Sequence, residues 1–186
     1  METVEKLLAD GSPPATPEQV LARLGALGVR HRTVEHAVLR TVADSKAHRQ
    51  DPQGGYSKNL FLRNKKGRMW LVTLHEDRVV DLRQLGAHIG AGRVSFASGQ
   101  RLMHFLGVVP GAVTPLAVIN DHQHQVAAII DSKLLGFPKV HFHPCDNSLT
   151  TTLTSAGLLR FMHDCGHPPQ LIDFDEFRQA TAADPV

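Results

Sequence analysis

The sequence predicts one α+β domain built around a mixed β-sheet, on three observations. Short runs of alternating polarity, bounded by turn residues, recur along the chain, and two of them form a clear hairpin over residues 57–74. Amphipathic segments with recognisable caps are interspersed with them. The 186 residues, 42% hydrophobic and 20% charged, contain neither an internal repeat nor a linker, and suit a single domain with a sizeable core.

The elements follow in order. Residues 1–16 read as a flexible lead-in through Gly11-Ser12-Pro13-Pro14, and the domain as 17–177. Thr16 caps a helix with Pro17 at its first position, and Val20, Leu21, Leu24 and Leu27 form its apolar face before Gly28 stops it. Val29–His36 alternates as a strand. Thr41–Arg49 reads as a short helix leading into the loop Gln50–Gly55, and the segment 41–55 is expected to be mobile. The hairpin pairs Ser57–Arg63 with Met69–Leu74 across the turn Asn64-Lys65-Lys66-Gly67. Asp81 caps a helix through His88, Arg93–Phe96 is a strand, and Ser98–Leu106 is a helix stopped by Gly107. Residues 107–115 hold too many breakers for regular structure and form an ordered loop. Strands are expected at Leu116–Ile119, Val126–Asp131, Lys139–His143 and Thr150–Thr154. Ser155 caps the helix Ala156–Asp164, Leu171–Phe174 closes the sheet, and 178–186 is a frayed tail.

Composition and motif searches narrow the chemistry. A formal charge of +2 permits contact with nucleic acid without demanding it. Cys145 and Cys165 make no disulfide framework, which suggests a reduced, cytoplasmic setting. No secretion signal or spanning helix is visible. Twelve histidines invite a metal, but neither His-Glu-x-x-His nor Cys-x-x-Cys occurs, so no metal site is expected. Neither cysteine sits where a thiolate is favoured: Cys145 precedes a carboxylate and Cys165 falls at a helix C-terminus. The serine-hydrolase elbow and the phosphate-binding P-loop are both missing.

The stretch Gly54-Gly55-Tyr56-Ser57-Lys58-Asn59-Leu60-Phe61-Leu62 stands out. Alternation sends Lys58 to the same side as Leu60 and Leu62, where a lysine either snorkels to water or faces a polar cavity. The cavity reading makes Lys58 an active-site residue. In Gly111-Ala112-Val113-Thr114-Pro115, glycine and proline set a tight backbone path that is either a plain connection or an arrangement aiming amide N–H groups at a carbonyl oxygen.

Taken together, Lys58-Asn59-Leu60-Phe61-Leu62, Gly111-x-x-x-Pro115 and His143-Pro144-x-x-Asn147 followed by a threonine run resemble, in that order, the trans-editing aminoacyl-tRNA deacylases of the YbaK/ProX type. These are related to the insertion domain of bacterial prolyl-tRNA synthetase. The likeness runs from about Pro17 to Phe174 and is greatest to the ProX-like branch that clears alanine from proline tRNA. Thr33-Val34-Glu35-His36 with Thr41-Val42-Ala43 resembles the family's N-terminal pattern, although Ala37 stands where a proline is usual. The resemblance implies a barrel-like mixed sheet with surrounding helices, hydrolysis of a misacylated tRNA ester, no metal or other cofactor, and the family's invariant lysine, matched by Lys58. It also implies a monomer that meets mischarged tRNA(Pro), no membrane, and transient association with prolyl-tRNA synthetase or an elongation factor.

An activity of this kind has a physical rationale. A pocket built for proline excludes alanine weakly, since missing methylenes are worth about 1–3 kcal/mol. A second, smaller pocket supplies the discrimination, and the loop 111–115 offers small-residue walls. On this reading Lys58 as an ammonium orients the terminal phosphate or ribose and stabilises developing negative charge. Backbone N–H groups near Gly111 and Ala112 hold the carbonyl oxygen, and a neighbouring ribose hydroxyl helps activate water. Asn59 either contacts substrate or braces the strand. For Thr114, Pro115, Asp131, His143 and Asn147, substrate contact and loop bracing stand as alternatives. Arg63, Lys65, Lys66 and Arg68 around the hairpin turn are candidates for acceptor-stem phosphates, as are Lys46, His48 and Arg49. Cysteinyl-tRNA(Pro) is the rival substrate, and a non-catalytic tRNA-binding or acylation-sensing module the rival class.

Overall fold

In a computed structural model of the chain, residues 7–38 and 51–175 are described. Helix α1 (Pro17–Ala26) opens on a capping box: Thr16 Oγ1 accepts from the Gln19 amide and the Gln19 side chain accepts from the Thr16 amide. Strand β1 (His31–Glu35) follows, then β2 (Gly55–Asn64) and β3 (Met69–His75) as the expected hairpin. Helix α2 (Leu82–His88) is capped by Asp81; β4 (Val94–Phe96) leads to α3 (Gly99–Leu106), capped by Ser98 and terminated at Gly107. After a 3-10 helix (Pro115–Asn120) come β5 (Val126–Asp131), the short α4 (Ser132–Leu135), β6 (Val140–Phe142), β7 (Leu149–Leu153), α5 (Ser155–Asp164) and β8 (Gln170–Ile172).

The eight strands described form one mixed sheet in the order β1-β7-β6-β2-β3-β5-β8, with β4 also on β2. The pairs β1–β7, β6–β7, β2–β3 and β2–β4 are antiparallel, whereas β2–β6, β3–β5 and β5–β8 are parallel. Since β1 and β8 lie at opposite ends of that order, the sheet is open, which corrects the barrel-like expectation. Each face has its own core. Phe61, Leu71, Ile130, Val140 and Leu153 pack under α1, α3, α5 and the 3-10 helix; Leu62, Trp70, Val72, Leu74 and Ile129 pack under α2 and Phe174. Leu158, Phe161 and Met162 anchor α5, each contributing about 1.5–3 kcal/mol by burial.

Three expectations change, and one element is new. The apolar run at 116–119 is a 3-10 helix rather than a strand, because Thr114 caps it and Pro115 occupies its first position, and it is buried nearly all round. Thr154, not Ser155, caps α5 by accepting from the Gly157 amide at 3.0 Å. The described part of the lead-in is docked: Leu8 is buried, the Ala9 amide donates to His104 O, and the Ala15 amide donates to the Asn120 side chain. The four-residue α4 went unread. The helix expected at 41–49 and the tail 178–186 lie outside the described residues.

Candidate active site

Strand β2 pairs with β3 along its length on one edge, but its other edge is shared. β6 takes Gly55 and Tyr56, β4 takes Leu62–Asn64, and Phe61 O accepts from the Ala97 amide, so among the described residues no strand covers residues 57–60 on that edge. The two glycines before the gap are required by close approach. A Cβ on Gly54 would stand 2.1 Å from His141 Nε2, and one on Gly55 2.9 Å from the Phe137 ring. Lys58 and Asn59 sit in the uncovered stretch and point to opposite faces of the strand.

Lys58 lies on the Leu60/Leu62 face, half-buried, and its Nζ donates to the carbonyl oxygen of Arg78. Desolvation lowers its pKa from the ordinary lysine value, while Asp77 and Glu76 pull it back up. The carbonyl that receives it belongs to a clamped residue. Arg78 Nε and Nη2 donate to Asp131 at 2.8 and 3.3 Å, and its Nη2 donates to Asp175 at 2.8 Å. Asp131 has no exposed side-chain surface and also accepts from the His75 and Lys133 amides, each at 3.1 Å. Its oxygens therefore hold the segment that anchors Lys58. Arg78 had no sequence signal: its partner is 53 residues away.

On the opposite face, Asn59 Nδ2 donates to Val113 O at 2.9 Å, and its Oδ1 is buried without a hydrogen-bond partner among the described residues. The loop it holds carries Gly111 at φ 92°, where a Cβ would lie 3.4 Å from Asn147 Nδ2. Asn59, the loop and Asn147 thus come together. The Ala112 amide is committed to Val109 O, which removes it as an oxyanion donor; the Gly111 and Val113 amides make no hydrogen bond among the described residues. Ala112, Thr114 and Pro115 are buried, and Thr114 Oγ1 accepts from the Leu116 amide at 3.3 Å, bracing the end of the loop.

His143 is half-buried and its Nδ1 bonds to Leu149 O at 2.7 Å. Burial pushes its pKa down despite that bond, so the imidazole is neutral at pH 7. Burial likewise pushes the Cys145 thiol up to about 12 and the Cys165 thiol up to about 11, leaving no thiolate nucleophile in either place. No three His, Cys, Asp or Glu side chains gather into a metal-binding group among the described residues, and no helix there is long and apolar enough to cross a membrane.

The chain matches the model of the aminoacyl-tRNA editing domain over residues 36–161. It belongs to the aminoacyl-tRNA editing domain family. The editing domain is 39% identical over 158 residues to prolyl-tRNA synthetase associated domain-containing protein 1 of Mus musculus, covering 82% of this chain and 93% of the relative. It is 34% identical over 157 residues to the prolyl-tRNA editing protein ProX of Acetoanaerobium sticklandii, covering 84% and 96%. A solved structure described as a candidate trans-editing enzyme for prolyl tRNA synthetase shares the fold at TM-score 0.67 and 23% identity, over 84% of this chain and 94% of that one.

The nucleic-acid candidates of the editing domain fall elsewhere. Lys65, Lys66 and Arg68 are exposed at the β2–β3 turn, with the Arg68 guanidinium 5.3 Å from the Trp70 ring centroid, and Arg63 is half-buried near the same end of β2. Lys46, His48 and Arg49 lie outside the described residues.

Proposed function

We propose that this editing domain hydrolyses the ester of mischarged tRNA at the terminal adenosine, with alanyl-tRNA(Pro) as its substrate. The observation that carries the reading is the uncovered edge of β2. It presents a partly desolvated lysine on one face and, on the other, an asparagine fixed to a glycine-bearing loop. An aminoacyl ester is already activated, so water suffices as nucleophile when the tetrahedral oxyanion is stabilised. Lys58 remains an ammonium, releases the Arg78 carbonyl in favour of the terminal phosphate or ribose, and lowers the energy of the developing negative charge. The free amides of Gly111 and Val113 are the donors for the carbonyl oxygen. With its Nδ2 held by Val113 O, Asn59 aims a buried acceptor, Oδ1, at a donor such as the substrate's α-ammonium. Asn147 and the small side of Gly111 bound the space for the amino-acid side chain, and Thr114, Pro115 and Asp131 act as braces.

The test is a deacylation panel of tRNAs mischarged with alanine, cysteine, serine and glycine. Release of alanine from tRNA(Pro) fastest is expected. Preferential release of cysteine would move the substrate to the rival branch, and binding without release would leave only a sensing module. Lys58→Ala is expected to abolish hydrolysis with the thermal unfolding profile retained; near-normal turnover would overturn the mechanism.

A further inference from the structure

Arg78 is gripped by two carboxylates that come from distant parts of the chain. Asp131, the last residue of β5, accepts from its Nε and Nη2 at 2.8 and 3.3 Å. Asp175, 97 residues from Arg78 in sequence, accepts from Nη1 and, at 2.8 Å, from Nη2. Every nitrogen of the planar guanidinium is therefore engaged, and each carboxylate holds it by two bonds. Asp175 arrives there because β8 runs parallel to β5 with Ile172 opposite Asp131, which leads the chain on toward the same guanidinium. Phe174, 2% exposed, is packed in the core that holds Leu62 and Leu74, and the Asp175 amide donates to Asp173 Oδ1 at 2.8 Å. The turn that presents the second carboxylate is thus pinned.

The two carboxylates differ in what they can contribute. Asp131 has no exposed side-chain surface, whereas Asp175 is 66% exposed, and an ion pair with so exposed a partner adds little to stability. Its placement has a consequence for Lys58 instead. The Lys58 ammonium donates to the carbonyl oxygen of Arg78, the residue whose side chain the two carboxylates hold. A guanidinium held along one edge can still pivot about that edge. Held along two edges it cannot, and the backbone that carries it is confined as well. Lysine has a long flexible stem, whose rotamer freedom must be lost before the ammonium can meet a developing charge. A carbonyl fixed in place removes that freedom in advance.

We propose that Asp175 is a positioning residue for Lys58: it takes the edge of the Arg78 guanidinium that Asp131 leaves, and so immobilises the carbonyl on which the ammonium rests. The proposal depends on the reading that Lys58 meets the ester. It makes the segment after β8, which lies beyond the matched editing-domain residues 36–161, part of the support of the active site. Asp175 acts through Arg78, so its loss costs rate rather than substrate affinity.

The experiment compares Asp175→Asn, Asp175→Glu and Arg78→Lys in the full chain. Asp175→Asn should lower kcat on alanyl-tRNA(Pro) about threefold to tenfold with KM unchanged, and Tm should fall by less than about 3 °C. Asp175→Glu, which keeps the charge, should restore much of the rate. Arg78→Lys keeps the carbonyl but loses the fork, so adding Asp175→Asn to it should lower kcat no further. The second readout needs no substrate. With isotope-labelled lysines, the Lys58 ammonium should give an NMR signal protected from solvent exchange, assigned by its absence in Lys58→Arg, and Asp175→Asn should broaden it. An unchanged kcat, an equal further loss in the Arg78→Lys background, or an unaltered Lys58 signal overturns the proposal. So does a fall in Tm as large as that expected of a buried pair, which would make Asp175 a structural residue. A wild-type chain that releases no amino acid would sink the deacylase reading, while the Lys58 signal would still decide whether Asp175 positions the lysine.

Discussion

Replacing Asp131 tests whether the anchor of Lys58 is held as the structure indicates. Asp131 accepts two bonds from Arg78 and one each from the His75 and Lys133 amides, with no exposed side-chain surface. Asp131→Ala strips the Arg78 guanidinium, whose side chain is 7% exposed, of its buried partner and leaves only Asp175, itself 66% exposed. Two amides are also deprived of their acceptor. Breaking one side of a buried pair costs about 3–5 kcal/mol, a large share of the roughly 5–15 kcal/mol that folds a domain. For a chain of this size that is a fall in Tm of about 6–20 °C. Urea and thermal unfolding read it directly. Arg78→Met combined with Asp131→Leu removes both charges and should recover the part of the loss due to the unpaired guanidinium, while the His75 and Lys133 amides still lack their acceptor. With the anchoring carbonyl no longer clamped, that double variant should still show a lower kcat. A destabilisation below about 1 kcal/mol in Asp131→Ala would refute the reasoning, because an uncompensated buried guanidinium cannot cost so little.

Other outcomes follow from the same geometry. If Lys58 works as an ammonium, kcat should be flat below its pKa and fall as pH rises through it, and because burial lowers that pKa the fall should begin before the ordinary lysine range; a kcat that rises through the same window would make Lys58 a general base. Gly111→Leu forces a side chain onto a residue at φ 92° and toward Asn147, so alanine release should be blocked; undiminished release would show that the loop does not wall the pocket. Burial depresses the pKa of both His143 and His75, so between the ordinary histidine pKa and the lowered folded values the unfolded chain binds more protons. The stability they confer should be present above about pH 6.5 and be lost as pH falls through the folded values. His143→Gln should flatten the Tm-versus-pH curve in that window, and an unaltered slope would show that His143 does not contribute.

Local signals in the sequence were readable wherever one residue type has one physical use. Thr16 with Pro17, Asp81 and Ser98 announced helix starts because their side chains satisfy otherwise orphaned amides. The hairpin was legible from alternation and the Asn64–Gly67 turn. Residues 116–119 were not: an apolar run buried nearly all round has no period to betray its state, and only the cap at Thr114 distinguished it. Among the site residues, Lys58, Asn59, Gly111 and Asn147 were singled out, while Arg78 was missed and Asp131 appeared without its partner.

By itself, then, the sequence determined the fold class, the principal strands and helices and the family, and it singled out Lys58, on which the proposed chemistry centres. Each of these is written in short-range periodicity, capping residues or ordered motifs. Only the tertiary structure decided that, among the described residues, β6 and β4 leave residues 57–60 of β2 without a strand partner on one edge, and that Lys58 is tethered to a carbonyl clamped by Asp131. Those features join residues tens of positions apart. Their energies are differences between many weak packings and pairings, which no local pattern records.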